Sequence, residues 1–361
     1  MKITFVMAEL SLSGGDRVIA IHADRLRKKG HDVVIVAIGI QKIPVKERLR
    51  SLLKGHGWIS QRRKIGSHID NMNVPCIRLD RFRPVVDADV PDADVVIATW
   101  WHTAEWVANL SPQKGAKVYF VQGHEVFDYL PQQRTRATYT LPLHKITISK
   151  WLADLMRTEY SDNQTSLVPN SVDTKQFYAS LRGRQDAPTV GMLYSPLSWK
   201  GCDVSLKAFS IAAKSIPGLR LIAFGTGPIL ASMPLPEGAE YFQAPAQDKI
   251  KDIYARCDVW LCGSRSEGFC LPPLEAMACR CPVVSTAVGG LITLVKDGIN
   301  GYLLPIDDTE GLAQGLVDVL TSPVAKWQEM SDVAYATASQ YTWDDAADLF
   351  EAALHSRLVG E

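Results

Sequence analysis

Two glutamates, Glu267 and Glu275, stand with seven residues between them in the stretch Gly263 to Gly290, GSRSEGFCLPPLEAMACRCPVVSTAVGG. An ionised carboxylate accepts two strong hydrogen bonds from a diol, so a pair of them beside an anion site reads as a binder of sugar and ribose hydroxyls. The residues between them suit an anion site. Gly268 lets backbone come close to a ligand, Pro272 and Pro273 fit the first turn of a helix, and the N–H groups of Phe269, Cys270 and Leu271 face outward at its start. A helix dipole adds roughly 0.3 to 1 kcal/mol per interacting charge there. The spacing leaves a second reading equally open, with Ser264 and Glu267 as a capping box and Glu275 placed for helix formation alone.

Aromatic faces stack on sugar rings. Trp100, Trp101 and His102 follow the apolar run DVVIAT (Asp94 to Thr99) and are candidates for an acceptor site, with core packing as the alternative. The acid pairs Asp87-Ala-Asp89 and Asp92-Ala-Asp94 imitate a metal-binding motif but precede that run, far from the glutamates, so they read as surface acids and no metal site is expected. Seven cysteines, an odd number, fit reduced thiols, and Cys270, Cys279 and Cys281 lack the CxxC or clustered-histidine spacing of a zinc site.

These residues need strands that end beside them. Lys2 to Ala8 is an apolar run, followed by a turn at Ser11 to Gly15, a helical pattern from Asp16 to Lys29, Gly30 as a stop and a second run, Val33 to Ile38, which make a βαβ unit. The theme recurs at Asp94 to Thr99, Lys117 to Gln122 and Lys145 to Ser149. A polar stretch, Leu181 to Ala187, interrupts it, and a second set begins with Thr189 to Leu193, Leu219 to Phe224, Tyr241 to Gln243, Val259 to Cys262 and Pro282 to Ser285. The alternation argues for α/β architecture with parallel sheets, and 361 residues fit two domains better than one.

Lys plus Arg and Asp plus Glu both number 39, so no net field draws in nucleic acid and no nucleic-acid partner is expected. The N-terminus, MKITFVMAEL, reads as a strand, and no stretch approaches about 18 unbroken apolar residues, so a cytoplasmic protein without a membrane span is the expectation. The segment 41–68 holds eight Lys or Arg and one acid, interleaved with Val45, Leu49, Leu52, Leu53, Trp58 and Ile59. It is either a solvated loop and helix or a peripheral contact with an anionic membrane surface or acceptor.

EGFCLPPLEAMACRCPVV closely resembles the signature of the retaining GT-B glycosyltransferases, family four of the glycosyltransferases (glycosyl transferases group 1), in which two glutamates flank seven residues. LVPNSVDTKQF (Leu167 to Phe177), Lys200-Gly201, FGTGP (Phe224 to Pro228), CDVWL (Cys257 to Leu261) and DGINGYLL (Asp297 to Leu304) follow in the family's order, and the likeness is nearly complete over residues 165 to 320. It implies two Rossmann-like domains whose parallel sheets face each other across a cleft: an acceptor-side domain, 1–183, and a nucleotide-sugar-binding domain, 184–339, with a final helix in 340–361 packed back on the first. It implies transfer of a sugar, with retention, from a nucleoside diphosphate donor to a saccharide or lipid-linked acceptor, without metal or cofactor.

By the same resemblance Glu275 binds the donor ribose, Glu267 a hydroxyl of the transferred sugar and Lys200 the diphosphate, where a fixed ammonium stabilises the leaving phosphate. His124, after the strand in FVQGHE, corresponds to a histidine that touches the donor sugar, so the catalytic set is His124, Lys200 and Glu267. Gly14 and Gly15 lie in a loop near the donor phosphate and acceptor, and the GFCL turn completes the donor site. There are departures. Ser195 stands where members usually carry an arginine, five residues before the lysine; Cys270 and Cys281 replace glycines, and Thr293 replaces a frequent glutamate. Ser195 keeps a non-catalytic sugar- or nucleotide-binding protein as a rival reading. A GT-B nucleotide-sugar epimerase is another, a phosphorylase is opposed by the absence of an evident lysine for pyridoxal, and a nicotinamide dehydrogenase by the absence of a GxGxxG fingerprint.

Overall fold

The computed structural model describes residues 1–8, 10–39, 45–53, 66–70 and 72–358. The chain divides into two compact units. One holds Met1–Thr147, Ala153–Val168 and the chain from Ala346 on, and the other holds Ile148–Leu152 and Pro169–Asp345.

The first unit carries strands β1 (Lys2–Met7), β2 (Asp32–Ala37), β3 (Cys76–Arg78), β4 (Val95–Ala98), β5 (Ala116–Val121), β6 (His144–Thr147) and β7 (Ser166–Leu167). They form one parallel sheet in the order β3-β2-β1-β4-β5-β6-β7, with Phe5 in register between Ile35 and Ile97. The second unit carries β8 (Thr189–Leu193), β9 (Arg220–Gly225), β10 (Glu240–Gln243), β11 (Val259–Cys262), β12 (Val283–Thr286) and β13 (Gly301–Leu304), parallel in the order β10-β9-β8-β11-β12-β13. Each order runs outward and then reverses, between β1 and β4 and between β8 and β11. Open α/β sheets bind ligands beyond the carboxyl ends of the strands at such switch points.

Strands covered on both faces read as continuous apolar runs, and all four residues of β4 (VVIA) and of β11 (VWLC) are buried. Helices α1 (Gly14–Lys28), α2 (Val45–Leu53), α3 (Trp101–Ala108), α4 (Gln132–Thr138), α5 (Lys150–Tyr160), α6 (Cys202–Ala212), α7 (Ile250–Ala255), α8 (Leu271–Ala278), α9 (Leu291–Leu294), α10 (Thr309–Thr321), α11 (Val324–Ser339) and α12 (Trp343–Leu358) complete the units. Helix α1 shows local rules at work: the Ser13 side chain accepts the Asp16 N–H, and Arg25, Arg27 and Lys28 sit in the last turn against the negative end of the dipole.

The Phe350 ring of α12 stacks on His22 at 4.5 Å and meets the edge of Phe120 at 5.0 Å, within the core of the first unit. In the second unit the buried Asp258 carboxylate accepts the N–H groups of Gln185 and Thr189 at 2.8 and 2.9 Å, and its carbonyl accepts the Trp327 indole N–H at 2.9 Å. The aspartate of CDVWL therefore ties the starts of β8 and β11 together.

Of the basic segment 41–68, only 45–53 and 66–68 lie among the described residues, so most of the segment tied to a membrane contact lies outside them. Within α2, Val45, Leu49, Leu52 and Leu53 are exposed. No helix among the described residues is long and apolar enough to cross a membrane.

Candidate functional site

Lys200 and Glu267 meet beyond the carboxyl ends of β8 and β11. The chain reaches this arrangement through Gly201, which has φ 52°; a Cβ there would lie 1.7 Å from the Gly263 carbonyl oxygen. Glycine is the residue that permits both the left-handed backbone and that approach. The Lys200 ammonium then donates to both Glu267 oxygens at 2.8 and 2.9 Å, and the Ser264 hydroxyl donates to Oε1 at 2.8 Å. Burial pushes the Lys200 ammonium down, but the facing Glu267 charge and its hydrogen bonds outweigh that and hold it above the ordinary lysine range.

Helix α8 begins at Leu271, four residues after Glu267, so no helix starts at Ser264 for the pair to cap. The capping-box reading fails for that reason, and the Glu267 carboxylate serves Lys200 and Ser264 instead. Pro272 and Pro273 occupy the first turn, where their missing N–H groups cost nothing. Cys270 is the N-cap in the left-handed region, φ 76° and ψ 78°, which costs a residue with a Cβ about 1–2 kcal/mol. The Gly268 carbonyl accepts from the Ser149 hydroxyl at 2.7 Å and the Trp151 indole at 3.0 Å. A trans peptide points its C=O and N–H in opposite directions, so this also turns the Phe269 N–H away from them.

Glu275 is buried, and Oε2 accepts the Tyr254 hydroxyl at 2.8 Å. Tyr254, from α7, was not legible as a partner, because the fold rather than any local spacing brings it there. A cavity of about 20 Å³ opens between Lys200, Ser264, Glu267, Cys262, Cys270 and Pro272, and Lys200 is the single cation lining it among the described residues. Ser195 is half-buried, and its Oγ accepts the Leu197 N–H at 3.3 Å. Arg265, two residues before Glu267, does not take the missing arginine's place: it is held by Asp203, Asp307 and the Ser198 carbonyl.

The residues expected from the first unit also follow strand ends. Gly14 and Gly15 open α1, and the Gln122 side chain lies 3.6 Å from where a Gly15 Cβ would sit. His124 follows β5 with Nε2 at 2.7 Å from the Tyr160 hydroxyl, and burial, helped by Arg136 and opposed by Glu159, holds it below the ordinary histidine range. Trp100 caps α3. Trp101 is buried at 9% exposure with the Arg134 guanidinium 5.2 Å from its ring centre. The His102 ring lies against Trp101 and Trp106 at 5.2 and 4.7 Å, and burial, then Arg134, push it down to about 4. The paired acids have protein partners: Asp89 takes Arg83 in two hydrogen bonds, Asp92 takes Lys114, and Asp87 and Asp94 accept the N–H groups of Ser111 and Lys2. No group of three or more His, Cys, Asp or Glu among the described residues could hold a metal ion.

Sequence reasoning passed over Glu125, beside His124. It is 2% exposed, accepts the Trp101 N–H at 2.7 Å at the start of α3 and the Tyr119 hydroxyl at 3.2 Å, and burial raises it to about 8. The unfolded chain loses this proton near 4.5, so the folded state binds more protons from there up to about 8. Stability is then greatest below this window and falls as pH rises through it. Thermal midpoints of wild type and Glu125→Gln between about pH 5 and pH 8 check this: wild type loses ground to the variant as pH rises, and a constant difference contradicts it.

A family model described as glycosyl transferases group 1 matches residues 185–322. The D-inositol 3-phosphate glycosyltransferase of Mycobacterium avium (strain 104) is 30% identical over 162 residues, which are 41% of this chain and 37% of that protein. The matched stretch spans less than half the length of the curated relatives it resembles. Sucrose-phosphate synthase from Thermosynechococcus elongatus superposes with a TM-score of 0.75 at 17% identity over 100% of both chains. Anabaena HepE in complex with UDP and glucose does so with a TM-score of 0.75 at 18% identity over 99% of this chain and 100% of that one. Two Rossmann-like units with parallel sheets make a GT-B fold, and within it residues 185–322 are similar to the glycosyl transferases group 1.

Proposed function

We propose that this protein transfers a sugar from a nucleoside diphosphate sugar to a saccharide or lipid-linked acceptor, with retention of anomeric configuration and without a metal. The observation that carries the reading is the Lys200–Glu267 pair at the β8/β11 switch point. A donor exchanges the pair for its own groups: the diphosphate takes the ammonium, a sugar hydroxyl donates to Glu267, and ribose hydroxyls donate to Glu275. Cleavage of the glycosidic bond leaves charge on the nucleotide's terminal phosphate, which the Lys200 ammonium stabilises. The acceptor hydroxyl attacks on the face the phosphate leaves, and that phosphate takes its proton. No protein nucleophile is used, unlike retaining glycosidases, whose two carboxylates flank the bond. His124, held below the ordinary histidine range, serves as a neutral hydrogen-bonding group for the donor sugar. Trp100 and His102, each partly exposed, serve the acceptor better than the buried Trp101.

One observation favours a second reading. With Ser195 in place of an arginine and Arg265 occupied, Lys200 is the single cation lining the cavity among the described residues, which would suit a protein that binds donors without turning them over. A panel of UDP-, GDP-, ADP- and dTDP-sugars with mixed saccharide acceptors in EDTA separates the two, read by nucleoside diphosphate release and by the product anomer in NMR. Turnover of one donor class with an unchanged anomer is expected. Release that EDTA abolishes, or an inverted anomer, overturns the proposed chemistry, and binding without release supports the second reading.

A further inference from the structure

Two thiols share the cavity that Lys200 and Glu267 line. Cys262 ends β11, Cys270 caps α8, and their sulfur atoms lie 3.6 Å apart. A disulfide spans about 2.05 Å between sulfurs, so an approach of roughly 1.5 Å closes the bond. The two side chains are 9% and 6% exposed, and the cavity of about 20 Å³ beside them has room for a molecule the size of water or peroxide. Cys270 also keeps a thiol at a left-handed backbone position that glycine would occupy without strain.

We propose that Cys262 and Cys270 form a redox-active dithiol that a hydroperoxide entering this cavity oxidises to an intramolecular disulfide. Cys262 is the attacking sulfur: the hydrogen bond from the Cys270 thiol, working against burial, holds it down at about 7, while Cys270 is pushed up. The Cys262 thiolate attacks one peroxide oxygen, the O–O bond breaks, and hydroxide leaves and takes up the proton the thiol had lost. Cys262 is left as a sulfenic acid. The Cys270 thiol then loses its proton and attacks the Cys262 sulfur, and the displaced hydroxide leaves with that proton as water. Two thiols and one hydrogen peroxide become one disulfide and two waters, with two electrons passing from sulfur to oxygen. The bond closes a ring around residues 263–269. Cys270 is drawn toward β11, and the Phe269 and Leu271 N–H groups and the Glu267 carboxylate move with it. Oxidation thus weakens donor binding, a consequence that rests on the proposed function above; the thiol chemistry does not.

The test treats the reduced full chain with excess hydrogen peroxide, quenches in acid, alkylates the remaining thiols under denaturing conditions and maps peptides by mass spectrometry. A Cys262–Cys270 linked peptide that dithiothreitol reverses is expected, and in Cys270→Ser a sulfenic acid on Cys262 that a dimedone probe captures. Recovery of both as alkylated thiols at a dose that oxidises the half-buried Cys76 overturns the proposal. Thermal shifts with nucleoside diphosphates on the same oxidised and reduced samples read the coupling. A shift on reduced protein that shrinks at least several-fold on oxidised protein supports it, and equal shifts overturn it. The disulfide found with no nucleotide shift on reduced protein overturns the donor reading alone and upholds the dithiol.

Discussion

Under the proposed function, replacing Lys200 with alanine lowers kcat/KM for sugar transfer by about 10²–10³-fold, or about 2.7–4 kcal/mol of barrier, the usual consequence of removing one preorganised group that stabilises developing charge. The loss falls mainly on kcat, because the phosphate gains its charge as the bond breaks. The size follows from the site's composition: Lys200 is the single cation lining the cavity among the described residues, so no neighbour takes over its role. The Glu267 carboxylate retains Ser264 as a donor, so the variant stays folded. Lys200 and Glu267 contact each other, so the double variant Lys200→Ala/Glu267→Ala costs less than the sum of the singles. Steady-state kinetics on the three proteins checks both points, and a Lys200→Ala enzyme within a few-fold of wild type contradicts the assigned role.

Gly201→Ala costs about 2–4 kcal/mol of stability and, under the proposed function, removes activity by a different route, because the new Cβ meets the Gly263 carbonyl at 1.7 Å and demands a left-handed backbone. Separating the β8 loop from the end of β11 also draws Lys200 away from Glu267. At about 2–4 °C per kcal/mol, the thermal midpoint falls by roughly 4–16 °C. Gly30→Ala is the control, since it shares the positive φ but meets nothing within 4 Å, and it costs about 1 kcal/mol. Equal shifts for the two variants would mean that the approach to Gly263 is unimportant.

Much of the architecture is legible because parallel strands buried on both faces leave apolar runs, such as VVIA of β4 and VWLC of β11. The two-residue β7 and the three-residue edge strand β3 carry too few residues for such a pattern, and β13 (GYLL) is only partly buried after its glycine. The glutamate signature stands out in the sequence, but spacing could not separate a ligand site from a capping box; the start of α8 at Leu271 removes the capping box. Partners were the hidden part. Lys200 lies 67 residues from Glu267 and Tyr254 lies 21 from Glu275, and only the strand order β8-β11 and the packing of α7 on α8 bring them together. Cys262 and Cys270 stand eight residues apart, and a strand end and a helix start, rather than any helical or strand period, turn them toward each other.

The most direct measurement is thermal stabilisation by UDP, GDP, ADP and dTDP and their sugars, on wild type and on Glu275→Ala. A ligand selective for the native state raises stability by about 2.7 kcal/mol at a hundred times its Kd. A shift with one nucleotide class on wild type, lost in a folded Glu275→Ala, is the result expected if Glu275 holds the donor ribose; no shift with any nucleotide on wild type would contradict the nucleotide-sugar site itself.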